Sequence, residues 1–110
     1  MPAPTEFAQV TVVCKANIYF EGRVISHTVK FSDGSKKTLG LIYPGSFEFK
    51  TDAAERMEMT AGDCRVRQPG QNEWKTYRAG DAFNVPAKSS FEIAVESGIA
   101  EYVCSFEPAR

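Results

Sequence analysis

The sequence predicts an all-β fold of about ten short strands, and three observations carry that expectation. Apolar and polar residues alternate with a period of two between turns: Phe47, Phe49 and Thr51 fall on one face, Glu48 and Lys50 on the other. This is the period of a half-buried strand. Turn signals built from Gly, Pro, Asp and Asn recur every several residues, which is the spacing of sandwiches and barrels. No stretch shows the period of an amphipathic helix. At 110 residues the chain is long enough for one small domain with a single core.

The elements follow in order. Residues 1–9, rich in Pro and Ala, read as a flexible start, and residues 10–14 (Val-Thr-Val-Val-Cys) as a β-prone edge segment. Asn17 to Phe20 leads to a bend at Glu21-Gly22. Residues 23–31 form a strand with Val24, Ser26, Thr28 and Lys30 on one face and Ile25, His27, Val29 and Phe31 on the other. Asp33-Gly34 is a hairpin signal, because a tight turn needs the positive φ that Gly and Asp tolerate. Residues 36–43 return, and Pro44-Gly45 turns the chain into 46–51. Residues 55–60 alternate again, with Glu55, Met57 and Met59 on one face. Ala61-Gly62-Asp63 turns into a strand carrying Cys64 and Val66 on one face and Arg65 and Arg67 on the other. A longer turn at 68–72 precedes the strand from Trp74 to Arg78. Phe83 and Val85 alternate, Pro86 interrupts the ladder for want of an N–H, and Phe91, Ile93 and Val95 resume it. The last strand runs over 99–106, ahead of a polar tail at 107–110; this strand and residues 10–14 are the open edges expected to pair with a second chain in a homodimer.

Composition excludes several classes of function. The formal net charge is −1, without the basic excess of a nucleic-acid footprint. No apolar run is long enough to span a bilayer as a helix, and the N-terminal residues lack the basic start and apolar middle of a signal peptide. A cytoplasmic chain is the expectation. Its three cysteines, Cys14, Cys64 and Cys104, have no metal-ligand spacing and read as reduced thiols.

Motif spacing narrows the fold class. Gly80 is followed after five residues by Pro86, and Pro86 after four by Phe91; Glu55 is followed after six by Gly62. These spacings resemble the two motifs of the cupin barrels, so the resemblance implies a cupin-type double-stranded β-helix, a jelly-roll barrel, over residues 17–106. Residues 1–16 are an N-terminal extension. In metal-binding cupins, histidines stand where this chain has Phe49, Thr51 and Phe91, and only the glutamate, Glu55, is kept. One carboxylate does not hold a catalytic transition metal, so no metal is expected. The single histidine, His27, lies on another strand and reads as a wall residue.

Six stretches resemble one family of very small cupins more closely. They are Asn17-Ile18-Tyr19-Phe20-Glu21-Gly22-Arg23-Val24, Ser26-His27-Thr28-Val29, Lys37-Thr38-Leu39-Gly40, Pro44-Gly45-Ser46-Phe47-Glu48-Phe49, Glu55 to Gly62, and Phe83-Asn84-Val85-Pro86. That family is the pyrimidine/purine nucleoside phosphorylases. The resemblance implies phosphorolysis of purine and pyrimidine nucleosides to free base and pentose 1-phosphate, with inorganic phosphate as co-substrate, no cofactor, and a homodimer.

The candidate residues come from the chemistry rather than from the family. Phe49, Thr51, Glu55 and Phe91 occupy the positions that face the cavity in a cupin. Phe49 and Phe91 would stack a base, a mode that tolerates any base, although plain core packing would place them identically. Glu55 shares a face with Met57 and Met59; a carboxylate there must be paired or used. It is the catalytic candidate, with an internal ion pair to Arg65, Arg67 or Lys88 as the alternative. Lys88, Ser89 and Ser90, with Thr51, offer a cation and hydroxyls to phosphate; the alternative is an ordinary solvated turn. Arg56, Arg65 and Arg67 would form either a basic patch or a solvated outer face. Tyr43, Tyr77, Tyr102 and Trp74 read as wall or dimer-face residues. Two other classes stay open at this point: a non-catalytic small-molecule-binding cupin and a metal-dependent cupin enzyme.

Overall fold

The computed structural model describes residues 4–106. Eleven strands follow in chain order among them: β1 (Thr11–Val12), β2 (Asn17–Tyr19), β3 (Val24–Lys30), β4 (Lys36–Ile42), β5 (Gly45–Lys50), β6 (Glu55–Ala61), β7 (Asp63–Arg67), β8 (Lys75–Arg78), β9 (Ala82–Val85), β10 (Ser90–Val95) and β11 (Ala100–Phe106). They form two sheets. The larger runs β1-β3-β4-β11-β6-β9, with β2 also paired to β3, and the smaller runs β5-β10-β7-β8. Neighbours in both sheets are antiparallel. The expected jelly-roll of short strands is therefore the fold.

The core lies between the sheets, and the period-two alternation explains who enters it. Val24, Ile42, Met57, Met59 and Cys104 point inward from the larger sheet, and Phe47, Cys64, Val66, Phe91 and Ile93 from the smaller. Fully burying apolar side chains of this size stabilises by about 1.5–3 kcal/mol each. Two glycines keep the strands close. Gly40 pairs directly with Tyr102, and a Cβ there would overlap the tyrosine ring. Gly62 turns the chain with φ +72° tight against the Ile99 carbonyl.

Three expectations need correction. The last strand was expected at an edge free to pair with a second chain, but β11 lies between β4 and β6. Its pairing follows from burial: Ala100, Tyr102, Val103 and Cys104 are all buried, which a central strand requires. Next, the described part of the supposedly flexible start is laid against the larger sheet. Phe7 packs edge-on against Phe31 with centroids 5.4 Å apart, and in the adjoining β-prone segment the Val13 N–H donates to the Thr28 carbonyl at 2.9 Å. The third concerns Trp74, which is not a wall residue. It lies under the guanidinium groups of Arg67 and Arg65, at 5.1 and 5.9 Å from its centroid. Those arginines pair with Glu92 and Glu96, so they are a solvated, internally neutralised face rather than an open basic patch. The tail at 107–110 lies outside the described residues.

Candidate active site

A cavity of about 370 Å³ opens between the sheets. Each wall comes from a different part of the chain. From β3 and β4 come Val24, Ser26 and Thr38; from β6, Glu55 and Met57; from β11, Tyr102, Cys104 and Phe106. The small sheet contributes Phe49, with Glu48 and Lys50 at the rim of its edge strand, and Tyr19 and Phe20 close over from the segment between β2 and β3. A larger, open groove of about 760 Å³ runs along the outer side of the big sheet between residues 4–12 and β4. The inner cavity gathers a half-buried carboxylate, several hydroxyls and an aromatic wall.

Register decides this gathering. Cys104 of β11 faces Thr38 on one side and Met57 on the other, Tyr102 faces Gly40 and Met59, and Phe106 faces Glu55. Directly paired residues share a face, so hydroxyl, thiol and carboxylate arrive on one wall. Ser26 is buried and is supported from behind by Asn17, whose amide donates to its hydroxyl at 3.2 Å and to that of Thr28 at 3.2 Å.

Glu55 is half-buried, and burial lifts its carboxyl above the ordinary range. The Cys104 thiol beside it opposes the shift, and the negative charge of Asp52 adds to it. Burial, then the Glu55 charge, likewise pushes the Cys104 thiol well above its ordinary value, so it stays a protonated donor. Burial also raises the Tyr102 phenol, partly offset by a hydrogen bond with Ser26. The only salt bridges among the described residues are Arg65–Glu96 and Arg67–Glu92. The ion-pair alternative for Glu55 is thus not what the structure contains.

The sequence-derived candidates divide. Phe49 and Glu55 line the cavity. Phe91 does not; it is buried one layer deeper, 5.3 Å from Phe49 and 5.6 Å from Phe83. Thr51 is also buried, and its hydroxyl is committed: it donates to the Pro86 carbonyl at 2.7 Å and accepts from the Ser89 N–H at 3.0 Å. Together with Lys88 N–H to Asp52 O at 3.2 Å, these bonds latch the proline hinge. Ser90 pairs with Lys50 rather than Phe49, so by parity it leaves on the outer face. Lys88, exposed and at φ 53°, stands on the same hinge outside the cavity lining. Sequence reasoning missed Ser26, Thr38, Tyr102 and Phe20. Alternation already grouped Ser26 with Val24, but nothing local said that this face was the inner one.

The residues at the metal-ligand positions of cupins do not fit a metal. Two are phenyl rings, and the third is a hydroxyl already bonded to backbone. Among the described residues no group of three or more His, Cys, Asp or Glu side chains could hold an ion. The ring of His27 lies on the other side of the sheet, with Nδ1 3.4 Å from the Val13 carbonyl.

Comparison with known proteins adds four findings. The pyrimidine/purine nucleoside phosphorylase family profile matches residues 14–106. A pyrimidine/purine nucleoside phosphorylase of Paraburkholderia xenovorans strain LB400 is 54% identical over 106 residues, covering 96% of this chain and 99% of that one. Among solved structures, a protein of unknown function from Acinetobacter sp. ADP1 superposes with a TM-score of 0.90 at 46% identity, covering 93% and 98% of the two chains. In fold alone, a cupin superfamily protein of Desulfitobacterium hafniense DCB-2 is similar, with a TM-score of 0.62 at 16% identity over 77% of this chain and 78% of that one.

The raised carboxyl of Glu55 carries a stability consequence. The folded chain holds this proton more tightly than the unfolded chain, so the group favours folding below the ordinary carboxylate pKa. That increment is lost as pH rises through the raised value. Glu55→Gln is therefore expected to raise the melting temperature at neutral pH by on the order of a few degrees, the gain vanishing in acid. A melting temperature that falls at neutral pH instead would mean a carboxylate held by bonds stronger than its desolvation.

Proposed function

The chain belongs to the pyrimidine/purine nucleoside phosphorylase family, and from that premise we propose that its inner cavity carries out phosphorolysis of both purine and pyrimidine nucleosides. An oxygen of inorganic phosphate forms a bond to the anomeric carbon. The bond from that carbon to the base nitrogen breaks, and the base leaves with its electron pair and takes up a proton. The products are free base and pentose 1-phosphate. The observation that carries the reading is Glu55, a desolvated carboxylate that stands on the same wall as buried hydroxyls and faces an aromatic wall.

Each group has a role in this proposal. Glu55 acts as the carboxylate: it orients a ribose hydroxyl and stabilises positive charge as the sugar becomes oxocarbenium-like, strongest where water is excluded. Phe49 supplies a stacking face, which accepts any base and so suits broad specificity. Ser26, Thr38 and Tyr102 bring hydroxyls to the opposite wall. Lys50, at the cavity rim, is the cation best placed for phosphate, with Lys88, Ser89 and Ser90 as the alternative set on the hinge that the Thr51 hydroxyl latches. The reaction is proposed to need no metal. A homodimer is proposed as well, with its two-fold contact at the β1 edge, where Val12 is 54% exposed and an open ladder invites pairing.

Three measurements check these statements. Uridine or inosine should release free base only when phosphate is present, and exhaustive chelation should leave the rate unchanged. Glu55→Gln should lower kcat about 100-fold or more, as for other preorganised electrostatic groups. The wild-type acidic limb of kcat/KM should lie above the ordinary carboxylate range, because the working form is the carboxylate. Activity lost to a chelator and restored by a divalent ion overturns the metal-free reading.

For phosphate, Lys50→Ala should raise the phosphate KM about 10-fold or more, the size of a charge-assisted hydrogen bond, while Lys88→Ala should not. The reverse pattern assigns phosphate to the hinge. For assembly, light scattering at micromolar concentration should give twice the chain mass; a single-chain mass refutes the dimer.

A further inference from the structure

Phe20 is placed unlike any other aromatic residue in the chain. It is a large apolar side chain that is 42% exposed, yet its backbone is in the left-handed region, at φ 52°, followed by Glu21 at φ 58° and Gly22 at φ 91°. L-residues with bulky side chains rarely adopt this conformation, and runs of it are rarer still. Strain of this kind persists where surrounding structure enforces it, and it gathers at ligand clamps and switches. A turn whose only purpose was to connect β2 to β3 would place Gly or Asn at those positions and leave the phenyl ring out.

What the strained turn achieves is to hang a phenyl ring over the mouth of the cavity. The ring is stacked on Phe49 with centroids 6.0 Å apart and planes only 14° from parallel, and it leans on Phe47 at 4.9 Å and 43°. Phe49 is fixed from behind: it packs on buried Phe91, which packs in turn on Phe83. One ring of the parallel pair is thus anchored through the core, and the other is solvent-exposed on a short turn closed by a single bond, Arg23 N–H to Phe20 O at 3.2 Å. A planar group between two rings makes two contacts of about 3.5 Å, so it needs faces about 7 Å apart. With centroids 6.0 Å apart the two faces lie closer than that, so Phe20 must move outward to admit a base.

We infer that Phe20 and Phe49 form a two-sided aromatic clamp for the nucleobase, with Phe49 the fixed jaw and Phe20 the movable one. The inference rests on the phosphorylase reading of the same cavity and adds to it how the base is held. The flat face of any purine or pyrimidine enters as Phe20 swings outward, and stacking on both faces orients the glycosidic bond toward Glu55. In the free protein the two rings close on each other, which keeps water from the apolar wall. Ring stacking reads no base-edge hydrogen bonds, so the clamp itself contributes affinity without choosing among bases.

The test uses Phe20→Ala and Phe20→Trp in the full chain, compared with wild type on inosine and uridine. Phe20→Ala should raise the KM of both nucleosides about 10-fold or more, the loss of one base–aromatic stack, and leave the phosphate KM within twofold. Phe20→Trp should retain the nucleoside KM. Its new indole should also be quenched by hypoxanthine or uracil alone, against the unquenched background of Trp74 on the outer face. An unchanged nucleoside KM in Phe20→Ala, or an equal rise in both KM values, overturns the clamp while leaving the phosphorylase reading intact. Should wild type release no base, the phosphorylase reading fails, and the clamp stands or falls on the quench by free base.

Discussion

The structure depends on the register of one strand. β11 is hydrogen-bonded to β4 on one side and β6 on the other, and it holds the larger sheet together. Because side chains alternate, a shift of one residue would send Tyr102 and Cys104 outward and bring Glu101 and Ser105 into the core. The register is defended by shape. The Tyr102 ring lies over Gly40, the one partner in β4 without a side chain to obstruct it. Where β11 meets the end of β6 the pairing slips at Glu101/Tyr102, a bulge of the kind that re-aims side chains near functional sites. Hydroxyl, thiol and carboxylate share one wall only because this register holds.

Glu55 illustrates how such a wall is used. A carboxylate among Met57, Phe106 and Cys104 loses hydration that no cation among the described residues restores through an ion pair, a cost the fold carries throughout its life. The thiol of Cys104 is a weak donor and leaves most of that cost in place. In the phosphorolysis proposed above, free energy withheld from folding in this manner is what a substrate bringing hydroxyls and developing positive charge would recover. Local instability at a reacting group is a familiar companion of activity.

Much of the fold was legible in the sequence, because half-buried strands declare themselves by alternation. The inner faces of β5, β6, β7 and β10 were readable from Phe47, Met57, Cys64 and Ile93 alone. Which strands lie side by side was not readable, since pairing is a long-range property; hence β11 was mistaken for an edge. The site was partly legible for the same reason. Glu55 stood out as a charge on an apolar face, and Phe49 followed from its spacing. Thr51 keeps the inward parity of Phe47 and Phe49, but alternation does not show what a hydroxyl bonds. Beyond Pro86 the backbone turns, Thr51 spends its hydroxyl on the hinge, and Ser90 emerges outside. Phe20 gave no signal, for its importance lies in a backbone conformation that composition does not announce.

The wall bearing Phe49 has an unusual mechanical position. β5 is the outer strand of the smaller sheet and is hydrogen-bonded only to β10, whereas Glu55, Thr38 and Cys104 lie on strands paired on both sides. Opening free energies in a folded protein fall from doubly paired strands toward edges. The cavity thus spans a gradient of rigidity, stiff along the wall of Glu55, Thr38 and Cys104 and compliant along the wall of Phe49. Substitutions along β5 can reshape that wall without disturbing the strands that carry Glu55, Thr38 and Cys104. In such an arrangement, ligand preference is free to drift through evolution while the chemistry stays in place.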